Sequence, residues 1–181
     1  MKAALLGCFW FMVASEAFAH RLDEYLQAAR IAVATNRIDL TFELTPGVAV
    51  AAKVLERIDP NHDGRISDDE GGAYAQQFLK DLNIGVDGKS VTMNVMSVSL
   101  PLVQDVRSGT GGIRIQATLA VGSLGAGSHA LTLTNGHLPA ISVYLVNALR
   151  SNDPAVEIGK QTRDELQRSY RLEFRVRPLA P

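Results

Sequence analysis

Asp59, Asn61 and Asp63 stand at alternate positions, Gly64 follows at once, and Ser67 and Glu70 complete the run Asp59-Pro60-Asn61-His62-Asp63-Gly64-Arg65-Ile66-Ser67-Asp68-Asp69-Glu70. Oxygen side chains at every second place suit a hard cation, because calcium takes about six to eight oxygens as a backbone wraps round it. Asp59, Asn61 and Asp63 supply three such side chains. The chain must turn sharply at the sixth position, where a Cβ is strained, and Gly64 occupies it. Arg65 is then expected to give its backbone carbonyl, Ser67 to act through a water, and Glu70 to close the shell with both carboxylate oxygens. Ile66 is suited to packing. The alternative is an acidic surface turn, but such a turn would not require Asn61, Ile66 and Glu70 as well.

Two helices must hold this loop. Ala51, Val54, Leu55 and Ile58 lie on one face of a helix running into Asp59, with Lys53, Glu56 and Arg57 on the other. Beyond the loop, Tyr74, Ala75, Phe78, Leu79 and Leu82 form a second stripe of helical spacing. The segment and its flanks resemble the EF-hand superfamily, which implies a helix, a calcium loop and a second helix, with Asp59, Asn61, Asp63, Arg65, Ser67 and Glu70 as the metal site. Gly71-Gly72 departs from that family, which usually has an apolar residue opening the exit helix, so a loose or kinked start is expected. No second loop accompanies the first, which favours a structural clip over a switch.

The rest of the chain reads as β-structure. Tyr25 to Val33 and the alternating Ile38, Leu40, Phe42 and Leu44 predict a hairpin turning near Asn36, and Thr45-Pro46-Gly47 ends the sheet pattern. Strands are expected again from Leu82 to Val86, a tight Asp87-Gly88 turn, and a strand through Leu100. Its alternation slips at Met96, which predicts a bulge near Val95 to Met96. Further strands are read at Ile113 to Val121, Ala130 to Thr134, Ile141 to Val146 and Tyr170 to Val176. The sum is a mainly β domain of about eight strands, a sandwich or open barrel, with the helix-loop-helix inserted at about residues 46–82.

Lys2, the apolar run Ala3 to Ala14 and the Ala17-Phe18-Ala19 site predict a signal peptide over residues 1–19, leaving one domain over 20–181 in the periplasm or outside the cell. The run is short for a membrane anchor, and lipidation at Cys8 is a minor alternative. Cleavage removes Cys8, the chain's single cysteine, so the mature protein is expected to have no disulfide. No later stretch has the length and apolarity of a membrane span, so no transmembrane segment is expected in the mature chain. A formal net charge of -1 argues against a nucleic-acid partner.

The order of these parts, with His20 directly after Ala19, is also similar to the exported head domain of hydrogenase/urease accessory-type membrane proteins. No membrane helices follow here, so no nickel role is carried over. An enzyme is not expected, since no paired histidines at metalloprotease spacing and no Gly-x-Ser-x-Gly elbow occur. The expected ligand is calcium, with an unidentified protein partner at an exposed strand edge as a further possibility. The competing reading is copper or nickel binding, or a metal-transport accessory role, through a free amino group and imidazole at His20.

Overall fold

Ile38, Leu40, Phe42 and Leu44 alternate with Asp39, Thr41 and Glu43, and strand β2 (Ile38–Pro46) buries the first set against the core. A computed structural model describes residues 23–178, so the predicted signal peptide, Cys8 and His20 lie outside the described residues. β1 (Tyr25–Val33) pairs antiparallel with β2, Val33 opposite Ile38, as the hairpin reading requires. Helices α1 (Val48–Ile58) and α2 (Asp68–Lys80) follow. After them come β3 (Leu82–Val86), β4 (Lys89–Ser90), β5 (Met93–Ser99), α3 (Val103–Arg107) and β6 (Ile113–Leu119). The chain continues through β7 (Gly127–Asn135), β8 (Ser142–Ala148), β9 (Val156–Arg163) and β10 (Ser169–Val176).

The strands make two open five-stranded sheets, ordered β5-β6-β2-β1-β8 and β4-β3-β7-β10-β9. β1 and β8 run parallel; every other pairing is antiparallel. Among the described residues there are therefore ten strands, where the alternation pattern predicts about eight. β4 is only two residues long, and β9 buries Val156 alone, so neither carries a hydrophobic period. Asp87 and Gly88 take φ of 52° and 76°, the left-handed pair that a two-residue hairpin turn needs. The predicted bulge is present, with the β5–β6 register shifting between Val95 and Ser97 and Met96 left exposed.

Inward residues of both sheets join α1 and α2 in one buried cluster. Phe42 of β2 meets Phe78 of α2 edge to face, their ring centroids 5.0 Å apart. Full burial of each ring contributes about 1.5 to 3 kcal/mol, which fastens the helical pair to the sheet. The apolar stripe on α2 stops at Leu79, and Leu82 instead opens β3. Among the described residues no helix is long and apolar enough to cross a membrane.

Candidate metal centre

α1 delivers Asp59 to the start of the loop as its C-cap, the Asp59 N–H donating to the Leu55 carbonyl at 2.8 Å. The loop then winds through short side-chain to backbone contacts. The Asn61 Oδ1 accepts from the Asp63 N–H at 2.9 Å, the Asp63 Oδ1 accepts from the Arg65 N–H at 2.9 Å, and the Asp59 Oδ2 accepts from the Gly64 N–H at 3.2 Å. Such contacts let short carboxylate and amide side chains set turns that the backbone would not hold alone. Gly64 takes a φ of 79°, and a Cβ there would meet nothing within 4 Å, so conformation and not space selects glycine.

The donors are unequally satisfied. Asp59 is only 4% exposed, and its Oδ1 has no hydrogen-bond partner, the single buried side-chain atom of that kind among the described residues. A buried carboxylate oxygen without a partner costs about 1 to 3 kcal/mol or more. That atom marks where a positive group would be welcome. Asn61, Asp63 and Arg65 are exposed on the loop, and Ile66 packs partly against the core.

Ser67 and Glu70 are engaged with each other. Ser67 is the N-cap of α2, its Oγ accepting from the Glu70 N–H at 3.3 Å, while the Glu70 Oε2 accepts from the Ser67 N–H at 2.9 Å and from the Ser67 hydroxyl at 2.8 Å. This capping box satisfies donors that every helix start leaves over, and Asp68, Asp69 and Glu70 complement the helix dipole. The structure thus places Asp59, Asn61 and Asp63 in one turn and gives the Glu70 carboxylate a capping role. Among the described residues no three His, Cys, Asp or Glu side chains converge into a metal-binding group.

The two glycines after Glu70 do not loosen α2, which runs without a break from Asp68 to Lys80. A Cβ on Gly71 would stand 2.5 Å from both δ carbons of Leu100, so the helix start lies directly on the chain leaving β5. Gly72 faces open space. The capping box and this close approach offset the intrinsic cost of glycine in a helix, about 1 kcal/mol each.

A second polar cluster was not legible in the sequence. His137 is 1% exposed; its Nδ1 lies 2.8 Å from the Asp81 Oδ2 and its Nε2 lies 3.0 Å from the Tyr74 hydroxyl, which meets the Tyr25 hydroxyl at 2.7 Å. Asn135 and Gln27 complete it, the Asn135 Nδ2 donating to the Gln27 Oε1 at 2.8 Å and the Gln27 Nε2 donating to the His137 carbonyl at 3.1 Å. Burial lowers the His137 pKa, against the opposing pull of Asp81. Two signals point here in retrospect. Tyr74 interrupts an apolar stripe with a hydroxyl that needs a partner, and Asp81 sits at a helix C-terminus, where a carboxylate is disfavoured.

His129 is different, an outlying residue with its Nδ1 2.7 Å from the Asp87 Oδ2 and its Nε2 2.9 Å from the Gly125 carbonyl. Both neighbours are acceptors, so the contact favours the doubly protonated ring, and the hydrogen bond to Asp87 raises its pKa. No protein-family model matches the chain, and comparison with curated proteins and with solved structures finds no match.

Proposed function

We propose that this chain is an exported calcium-binding protein in which an EF-hand-like segment, Asp59 to Glu70, stabilises a β-rich binding or accessory domain without catalytic activity. One observation carries the reading. The buried, unpartnered Oδ1 of Asp59 lies in the turn that also holds Asn61 and Asp63, at the first position of a loop whose sequence is that of a calcium site. Asp59, Asn61, Asp63, the Arg65 carbonyl, Ser67 and Glu70 are the residues that would hold the ion, and calcium would supply charge compensation for the acidic turn. Oxygen donors with no thiolate favour calcium over zinc or copper, and His62, exposed at a φ of 57°, is not needed for it.

The role proposed is a clip, because the two helices and the loop connect β2 to β3, and an ion fixing the loop fixes their separation. Dissociation constants of extracellular calcium modules run at about 10⁻⁴ to 10⁻³ M, and the same range is expected here. Calorimetric titration with calcium and with zinc is the test. Calcium heat lost in Glu70→Gln supports the reading, since glutamine can keep the capping contact with Ser67 while removing the carboxylate. Tighter binding of zinc through His62, or equal calcium binding by Glu70→Gln, would contradict it.

A further inference from the structure

Four polar side chains are buried among the described residues, Gln27, Asp59, Asn135 and His137, and Gln27 and Asn135 hold the His137 backbone while its imidazole meets Asp81 and Tyr74. That imidazole touches the helix that closes the proposed calcium loop. Tyr74 lies one turn along α2 from Glu70, and Asp81 caps the same helix. Tyr25 brings in β1 of one sheet, and His137 itself follows β7 of the other, where the Gly136 N–H donates to the Asp81 carbonyl at 2.9 Å. One ring therefore ties α2 to both sheets.

The hydrogen-bond order within this chain of groups is fixed by chemistry. A carboxylate only accepts, so the His137 Nδ1 carries the proton facing Asp81, and Nε2 accepts from Tyr74, whose oxygen accepts from Tyr25. Burial raises both tyrosines, Tyr74 up to about 12, so each remains a hydroxyl. A proton added to Nε2 reverses the order. Tyr74 must then donate to Tyr25, and the Tyr25 hydroxyl, at 0% exposure, has no other acceptor among the described residues.

The groups around the ring oppose or permit that proton unequally. Arg57 of α1 adds positive charge and disfavours it, and Asp81 favours it. Tyr144 donates to the His137 carbonyl at 3.1 Å, and Arg168 donates to the Asn135 carbonyl at 3.4 Å, so both engage the backbone and not the ring. The Asp81 side chain is 33% exposed, which gives the buried ring a polar route to solvent.

We propose that His137 is a proton-operated latch on helix α2: neutral, it seats the helix that carries Glu70, and protonated, it releases that seat, so protons and calcium bind in competition. The inference rests on the calcium reading of the loop. Coupling of this kind is reciprocal, so calcium must also make His137 harder to protonate. Acid would then weaken calcium binding through the ring, and removing the imidazole should remove that part of the pH response.

The test is calorimetric titration with calcium at pH 7.5 and pH 5.5 for the wild type and His137→Gln, together with NMR titration of the wild-type His137 ring with and without saturating calcium. The expected result is a wild-type dissociation constant weakened about five-fold or more at pH 5.5. The variant should change less than about two-fold, because it lacks the imidazole that takes up the proton. The ring in the wild type should titrate at lower pH when calcium is bound, a readout that needs no variant. Equal pH responses in both proteins, or a ring titration that calcium leaves unchanged, would overturn the latch while leaving the calcium site standing. Absence of calcium binding at pH 7.5 would overturn the calcium reading, and the latch with it.

Discussion

The buried polar groups fall into two places that differ in completeness. Around His137, every donor has been given an acceptor, and Gln27, Asn135, Tyr25, Tyr74 and Asp81 hold one another in a closed network. At Asp59, one carboxylate oxygen is buried and left over. Burial of polar groups is tolerated when they are paired, so the closed network accounts for itself as a joint between helix and sheets. The open one needs a partner that the described residues do not provide. Completeness, more than acidity, separates the structural cluster from the candidate ligand site.

The largest effect expected from this contrast is at the closed network. His137→Ala should lower stability by about 3 to 4 kcal/mol, because it leaves a cavity and strands buried groups on Tyr74 and Asp81. Urea unfolding with and without calcium checks it. A loss below about 1 kcal/mol would mean that the network is decorative.

The open site should behave in the opposite way. Asp59→Asn keeps an oxygen for the Gly64 N–H but removes the unpartnered carboxylate, so in chelator the variant should be as stable as the wild type or slightly more so. In calcium it should lose the stabilisation, about 1.4 kcal/mol at ten times the dissociation constant. Thermal melts in both buffers separate the two. A variant that is much weaker in chelator would show that Asp59 is structural like His137.

The neighbouring glycines extend the comparison between filled and open places. Gly72→Ala, facing open space within α2, should stabilise by about 0.5 to 1 kcal/mol. Gly71→Ala should gain less or lose, since its Cβ must displace Leu100. Paired urea curves measure the difference, and an equal gain for both would contradict the close approach of Leu100.

The smallest effect is in the pH profile, where the two histidines act with opposite sign. Burial lowers the folded pKa of His137 below the ordinary histidine value of 6.5, so its contribution is present above that value and fades as pH falls toward the folded one. Hydrogen bonding to Asp87 raises the folded pKa of His129, so its contribution is present below 6.5 and is lost as pH rises through the raised value. Asp87 opposes at the acid end: burial pushes its pKa up, but the hydrogen bonds from His129 and the Ala130 N–H outweigh this and lower it below 3.8, so its share fades in strong acid. His129→Gln should therefore reduce stability by a few tenths of a kcal/mol near neutral pH and little at high pH. Stability measured across pH 5 to 9 shows whether the difference closes on the alkaline side.

What the sequence discloses follows from how local each cause is. The Asp87-Gly88 turn and the bulge at Met96 are each set by neighbours a few residues away, and both are legible. β9 is not, because an edge strand carrying Glu157, Lys160 and Arg163 has no apolar alternation to read. Gly159 within it lies where a Cβ would stand 2.8 Å from the Glu173 carbonyl, a constraint visible only once β10 is beside it. His137 reads as a turn residue beside Leu138-Pro139, whereas its partners Asp81, Tyr74 and Gln27 lie 56 to 110 positions away. The capping box hides in plain view, since Ser67 and Glu70 satisfy the helix-start pattern and the calcium pattern with the same two residues.

Melting of the wild type and Glu70→Gln, each in calcium and in chelator, tests the central claim most directly. With free calcium at about ten times the dissociation constant, the wild type should melt a few degrees higher than in chelator, the shift that about 1.4 kcal/mol gives in a domain of this size. Glu70→Gln should keep its capping contact, melt slightly below the wild type in chelator for want of the first-turn charge, and lose most of that rise. Equal rises in both proteins would show that Glu70 does not bind the ion, and no rise in the wild type would show that the Asp59 to Glu70 loop is not a calcium clip.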